Sequence, residues 1–194
     1  YIHVPLTDAN RYQTVFAKTL GSAAAPTAAL HFTDGLVKSL QASDISIAEV
    51  DLEVGLDTFR PISETVINEH EMHRETWEVP QGAADAVAAC RERGNRVVAV
   101  GTTVVRTLES AARMDGLVRP GRGETDLFIS PGYRLRAVDA VVTTFHAPRT
   151  TLIVMIAALL GDRWREVYQH ALQSGYRFLS FGDAMIIEQP VNGR

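Results

Sequence analysis

The chain has 194 residues, of which 46% are hydrophobic, and a formal net charge of −4 at pH 7. A chain of this size and composition buries a substantial core, which excludes general disorder and favours a single domain, residues 1–194. The acidic balance argues against a general nucleic-acid binder and leaves room only for a local basic patch. The longest apolar run, residues 152–160, is far shorter than the roughly 20 residues of a membrane span. We therefore expect a cytoplasmic protein with no membrane partner.

The cysteine count limits the possible disulfides and metal sites, and the first residues indicate whether the chain is part of a longer protein. A single cysteine, Cys90, excludes an internal disulfide framework and a cysteine-rich metal site. The chain begins at Tyr1, and residues 1–13 have the composition of an extended connector. We expect a fragment of a longer protein.

The first predicted helix covers residues 34–42. Thr33 is placed to cap its N-terminus, and Leu36, Val37 and Leu40 are spaced to form one buried face. Apolar residues then alternate over residues 44–55, which predicts a strand with one irregularity.

A shorter strand is expected at residues 75–80. Pro80 is suited to the first turn of a helix over residues 81–93, and Gly94 to the left-handed position after its end. The run at residues 96–101 is typical of a strand covered on both faces.

The remaining elements continue the alternation of helix and strand. Residues 104–114 have helical spacing, and the last strand is expected at 183–189. Between them we expect strands at 126–130 and 135–145 and helices at about 150–160 and 163–173. This order predicts a layered α/β/α domain with a largely parallel or mixed sheet, since parallel neighbours need helical crossovers.

The turn at residues 101–103 is a candidate ligand cradle. Gly101 allows close approach of a ligand, while Thr102 and Thr103 offer hydroxyls beside free N–H groups at a helix N-terminus. Ordinary α/β proteins also join a strand to a helix in this way, so the turn alone leaves both interpretations open. The glycine fingerprint of dinucleotide sites and the phosphate-loop lysine are both absent from the sequence.

Histidines and carboxylates supply candidate acid/base groups. His70, His73 and Glu75 lie within six residues, a density that suits proton transfer, substrate contact or a solvated loop better than a metal site. His31 precedes a helix N-terminus, which favours a neutral imidazole; a hydrogen-bonded, partly buried histidine is the alternative.

Two loops beside predicted strands carry further candidates. His146 and Arg149 flank Pro148 in a loop that ends on a capping threonine, and a solvent-facing arginine is the plain alternative. Gly182 and Asp183 follow an aromatic-rich stretch and precede the last strand, where Gly-Asp is also an everyday turn.

Seven segments, taken together, resemble the family of S-adenosylmethionine:tRNA ribosyltransferase-isomerases (QueA) of queuosine biosynthesis. They occur in the family's order over nearly the whole chain, which is more specific than any single motif. The segments are RYQTVFA, GSAAAPTAALHFT, VGLDTFRPI, HEMHRETWEVP, VAVGTTVVRTLESAA, TDLFISPGYRLRAVDAVVTTFHAPRTTL and YRFLSFGDAMII.

The resemblance implies an enzyme that transfers and isomerises the ribosyl group of S-adenosylmethionine onto a 7-aminomethyl-7-deazaguanine base in tRNA. Epoxyqueuosine-tRNA, adenine and methionine would be the products. Family members look like an α/β domain with an inserted β-barrel, and this chain matches the part that follows the barrel. The fragment alone could then be inactive. S-adenosylmethionine as co-substrate, tRNA as partner, no metal and a monomeric state are the corresponding expectations.

The resemblance also assigns candidate roles to residues. The catalytic candidates are His31, His73, Glu75, His146 and Asp183. The cofactor-binding candidates are Gly101, Thr102, Thr103, Gly182 and Asp183. The candidates for tRNA or cofactor contacts are Arg60, Arg106, Arg149 and Arg177.

Several positions depart from the family pattern. Glycine is usual at Ala29 and Asp57, serine at Val104, asparagine at Thr144, tryptophan at Glu124 and tyrosine at Phe181. These changes keep two alternatives open: a divergent S-adenosylmethionine-using transferase with a non-tRNA acceptor, and a non-catalytic ligand-binding fragment.

Overall fold

A computed structural model of the chain describes residues 4–18, 24–53, 72 and 74–189. The described strands are β1 (Asp51–Glu53), β2 (Glu75–Val79), β3 (Val98–Val100), β4 (Gly121–Thr125), β5 (Ala140–Thr144) and β6 (Ala184–Glu188). The α-helices are α1 (Asp34–Ala42), α2 (Gln81–Glu92), α3 (Thr102–Ala111), α4 (Thr151–Leu160) and α5 (Trp164–Gln173). Short 3₁₀ helices occur at Ala9–Tyr12, Thr27–His31 and Gly161–Arg163.

The strands form two three-stranded sheets. Sheet one has the order β1-β2-β4 and is antiparallel throughout. Sheet two has the order β3-β5-β6, with β3 and β5 parallel and β6 antiparallel to β5. The predicted α/β class with a mixed sheet is confirmed, and β3 with β5 is the one parallel pair among the described strands.

Local signals in the sequence placed the helices correctly. The Thr33 hydroxyl accepts a hydrogen bond from the Leu36 N–H at 3.2 Å, as expected of an N-cap. Gly94 follows the end of α2 with a φ of 67°, the left-handed conformation that glycine adopts without steric cost. The Thr150 hydroxyl caps α4 by accepting from the Ile153 N–H at 3.3 Å.

The strand predicted at residues 126–130 is wrong, because the chain pairs earlier, at β4. Residues 121–125 are polar and glycine-rich, yet they pair with the whole of β2. Gly123 lies against Trp77, and a Cβ at this glycine would be 2.8 Å from the indole Cζ2. Cross-strand packing on a tryptophan therefore selects this strand, and hydrophobic periodicity does not reveal it.

Three further expectations need correction. Within the strand predicted over residues 44–55, the structure describes only β1 as a strand, and residues 45–50 have no regular secondary structure. Among the described strands β3 lies at the edge of sheet two, and its Val98 is 50% exposed, so β3 is not covered on both faces. α1 does not have the expected buried face: against the described residues Leu36 is 39% exposed, and no residue of α1 is fully buried.

Two apolar clusters hold the sheets and helices together. The first joins α2 and α3 to sheet two and includes Val105 and Val141, which are completely buried. The second packs α4 and α5 against the β5-β6 side, around Phe145, Ile156 and Tyr168. Burial of these side chains removes apolar surface from water and supplies the main stabilisation of the fold.

The loop that leads into β5 is fastened by a buried carboxylate. Glu109 on α3 is 3% exposed and accepts hydrogen bonds from the backbone N–H groups of Arg136, Ala137 and Val138 at 2.9–3.2 Å. The Tyr133 hydroxyl donates to the same carboxylate at 3.1 Å. Because backbone donors satisfy Glu109, the position of β5 relative to α3 is fixed by directional bonds.

Candidate functional site

The carboxyl ends of β3 and β5 meet the beginning of β6 at one edge of sheet two. Val100 pairs with Val142 in the parallel pair, and Thr144 pairs with Ala184 in the antiparallel pair. Ligands of open α/β sheets collect beyond the carboxyl ends of the strands. We call this edge the site edge. It brings together residues 101–103, 143–146 and 182–183.

The turn at the start of α3 has a backbone that only glycine adopts readily. Gly101 has φ 101° and ψ 147°, and its N–H donates to the Val142 carbonyl at 2.8 Å. The N-cap residue of α3, Gly101, supplies no side-chain cap. The first-turn N–H groups of this helix therefore keep their capacity to bind a carboxylate or another anion.

His146 lies directly after β5 and is 9% exposed. Its Nε2 is 2.9 Å from the Thr143 hydroxyl, and its backbone N–H donates to the Tyr168 hydroxyl at 3.0 Å. Burial lowers the pKa of His146 from 6.5 to about 4, so the imidazole is neutral at pH 7. Burial also raises the pKa of Tyr168 to about 12, so the phenol keeps its proton.

Asp183 is held by the turn that precedes β6. The Arg177 backbone N–H donates to its Oδ2 at 2.7 Å, and the Arg177 guanidinium donates to its Oδ1 at 3.3 Å. These bonds, the backbone one first, lower the pKa of Asp183, with a smaller contribution from the charge of His31. The carboxylate is therefore ionised at neutral pH.

The turn itself is tight and is tied to β5. The Leu179 N–H donates to the Phe145 carbonyl at 2.9 Å, and the Asp183 N–H donates to the Arg177 carbonyl at 2.8 Å. A Cβ at Gly182 would lie 2.4 Å from that same carbonyl oxygen. Only glycine fits at this position, so Gly182 shapes the turn that presents Asp183.

His31 joins the site edge from the N-terminal part of the chain. The 3₁₀ helix Thr27–His31 packs against β5, and His31 is exposed. Beside Asp183, Phe181 is 37% exposed and its ring meets Tyr12 edge-on at 5.6 Å between centroids. An imidazole, a carboxylate and an aromatic pair thus share one accessible surface.

Glu75 and Arg106 form an ion pair in the interior. Their side chains are 1% and 4% exposed, and the Arg106 Nη1 donates to the Glu75 Oε2. The Arg106 Nε also donates to the Leu127 carbonyl at 3.2 Å. Burial lowers the pKa of Arg106, and the adjacent Glu75 opposes that effect. The pairing accounts for both charges without a ligand.

Of the other predicted arginines, Arg149 and Arg177 have exposed side chains in the loops at the site edge. Arg149 has a φ of 59°, the left-handed conformation, between β5 and α4. Arg60, His70 and His73 lie outside the described residues. Among the residues that are described, no three histidine, cysteine or acidic side chains are grouped to hold a metal ion.

Sequence reasoning missed the partners of His146. Thr143 lies three residues earlier, in β5, a spacing that could have suggested contact, but Tyr168 comes from α5, 22 residues later. No helix in the described ranges combines the length and the apolar character needed to cross a bilayer.

Comparison with known proteins gives consistent matches over most of the chain. The family model described as "Queuosine biosynthesis protein" matches residues 1–187. The S-adenosylmethionine:tRNA ribosyltransferase-isomerase of Natranaerobius thermophilus is 51% identical over 189 residues, which cover 97% of this chain and 55% of that protein. The Moorella thermoacetica protein of the same name is 53% identical over 188 residues, with 96% and 55% coverage.

A solved structure matches as well. The crystal structure of S-adenosylmethionine tRNA ribosyltransferase from Thermotoga maritima is 41% identical to this chain, with a TM-score of 0.65. The match covers 82% of this chain and 51% of that one. The chain thus spans about half the length of the relatives it matches.

Proposed function

Because this chain belongs to the queuosine biosynthesis protein family, we propose that its site edge binds S-adenosylmethionine and forms part of a tRNA ribosyltransferase-isomerase active site. The proposed reaction moves the ribosyl group to the aminomethyl group of a 7-deazaguanine base in tRNA. The N-terminus of α3, His31 and Asp183 meet at one sheet edge, and this convergence is the observation that supports the proposal. Because the proposed acceptor is tRNA, the proposal places the protein in the cytoplasm.

Asp183 is assigned to the positive charge of the substrate. Its carboxylate is ionised, and its one described ion-pair partner, Arg177, has a largely exposed side chain. A sulfonium or ammonium group in contact with Asp183 would gain charge attraction. Residues 101–103 are assigned to the substrate carboxylate, since α3 offers uncapped N–H groups there.

His31 is assigned as proton acceptor. The rearrangement needs a base for a ribose C5′ proton, which the sulfonium acidifies, and the acceptor amine must also lose a proton. An exposed imidazole beside a carboxylate suits this work near neutral pH. His146, with a pKa of about 4, holds a proton poorly and is assigned to hydrogen bonding in its neutral form.

The remaining candidates take supporting roles in this proposal. Arg149 and Arg177, which are exposed at the site edge, are assigned to tRNA phosphates or the substrate. Glu75 is assigned to neutralising Arg106 in the interior.

Adenine release from S-adenosylmethionine in the presence of substrate tRNA tests the assignment in the full-length protein. We expect His31→Ala to lower kcat about 10²- to 10⁴-fold, the usual contribution of a general base. Asp183→Asn should weaken S-adenosylmethionine binding in calorimetry, because the amide lacks the charge.

The matched control is His170→Ala, which removes an exposed histidine on α5. Unchanged turnover in His31→Ala and unchanged affinity in Asp183→Asn would contradict the site. Turnover with a free amine in place of tRNA would instead select the divergent transferase.

A further inference from the structure

A small cavity lies between the second turn of α3 and the start of α4. Arg106 and Thr151 line it together with the apolar side chains of Met72, Leu127 and Met155. It is partly open, and its volume is about 10 Å³. Such a volume admits one water-sized group and no more.

Two polar atoms at this cavity have no hydrogen-bond partner among the described residues. The Arg106 Nη2 and the Thr151 Oγ1 are fully buried, and neither makes a hydrogen bond within the described part of the chain. The two residues are 4% and 6% exposed. Buried polar atoms are almost always paired in folded proteins, so an unpaired donor and an unpaired hydroxyl around one cavity mark a place for a further oxygen.

The charges around the cavity favour a neutral oxygen. The Arg106 guanidinium already faces the Glu75 carboxylate, and Asp126 contributes a second negative charge. An added carboxylate would be repelled by these groups. A hydroxyl can accept from the Arg106 Nη2 and also exchange a hydrogen bond with the Thr151 hydroxyl, since it is both donor and acceptor.

The cavity adjoins the site edge. Arg106 lies one turn after Thr102 on α3, and Thr151 follows Thr150, which caps α4 at the end of the loop from β5. A ligand bound at the site edge is therefore within reach of the cavity.

We propose that this cavity binds one ribose hydroxyl of the nucleoside substrate, with the Arg106 guanidinium and the Thr151 hydroxyl as its partners. The inference rests on the proposed function for the identity of the substrate. It adds a neutral contact to the sugar, separate from the charged contacts assigned to Asp183 and to residues 101–103.

Calorimetry with S-adenosylmethionine and its 2′-deoxy and 3′-deoxy ribose analogues tests the proposal in the full-length protein. One deoxy analogue should bind the wild type roughly ten- to a hundredfold more weakly, the usual effect of losing a hydrogen bond to a charged group. Thr151→Val should weaken S-adenosylmethionine binding and reduce the discrimination against that analogue. Thr151→Ser keeps the hydroxyl and should restore both.

The matched control is Thr107→Val, since Thr107 is a completely buried threonine on α3 whose hydroxyl donates to the Thr103 carbonyl. It should discriminate like the wild type. Equal binding of all three ligands by the wild type, or full discrimination by Thr151→Val, would mean that the cavity holds an internal water only and would overturn the proposal.

The two proposals fail in different ways. Discrimination that depends on Thr151, in a protein that releases no adenine with tRNA, would refute the proposed function and support the hydroxyl site. Adenine release without such discrimination would support the proposed function and refute the hydroxyl site. Absence of any S-adenosylmethionine binding would overturn both.

Discussion

Removal of the buried carboxylate of Glu75 should destabilise the fold severely. The side chains of Glu75 and Arg106 are 1% and 4% exposed, so Glu75→Gln leaves a guanidinium in the interior without its ion-pair partner. Of its donors, the Nε would keep its bond to the Leu127 carbonyl, while the Nη2 has no partner in the part of the chain that the structure describes. Loss of one partner of a buried pair costs about 3–5 kcal/mol. That is a large part of the roughly 5–15 kcal/mol by which natural domains are stable.

Urea denaturation measures this cost as a fall in the free energy of unfolding. The control is the double variant Glu75→Leu with Arg106→Met, which removes both charges. Because an apolar replacement of a buried pair is often neutral, the double variant should be markedly more stable than Glu75→Gln. A loss below about 1 kcal/mol in Glu75→Gln, the value typical of exposed pairs, would show that water reaches the pair and would refute the reasoning.

Three further predictions concern the described core and the site edge. Burial lowers the pKa of His146 from 6.5 to about 4, so the protein should lose stability as pH falls from 6.5 to 4, because the unfolded chain binds the proton first. The difference in unfolding free energy between the wild type and His146→Gln should therefore change by about 3 kcal/mol between pH 7 and pH 4. A difference that stays constant would contradict the burial of His146. In urea denaturation, Glu109→Gln should lower the free energy of unfolding by about 1.5–3 kcal/mol, because it weakens three backbone hydrogen bonds. Tyr133→Phe should lower it less, because this change removes one hydrogen bond. Equal losses would show that the backbone bonds of Glu109 do not stabilise the loop before β5. Gly182→Ala should lower the free energy of unfolding by about 1–3 kcal/mol, since the added Cβ would lie 2.4 Å from a carbonyl oxygen. The control Gly82→Ala adds a Cβ in free space on α2 and should leave the free energy of unfolding unchanged or raise it by up to about 1 kcal/mol. Thermal unfolding of the two variants tests this difference.

The candidate site was only partly predictable from its local motifs. The Gly101 turn, His146 and Asp183 each had an ordinary structural explanation, and their proximity depends on the antiparallel pairing of β6 with β5. Glu75 and Arg106 had the residue types of a functional site, but the structure pairs them in the interior. Thr151 gave no functional signal in the sequence, because its significance comes from a cavity formed with a residue on another helix.

The sequence by itself determined the helices, their caps and the family, because capping bonds and helical periodicity act between residues three or four apart and long motifs are read directly from the chain. Only the tertiary structure decided that the polar segment at β4 is a strand, that Val98 on β3 is half exposed, and that Glu75 and Arg106 pair in the interior. Strand pairing and the pairing of buried charges join residues tens of positions apart. Their energies depend on packing and burial that the chain acquires only once it has folded.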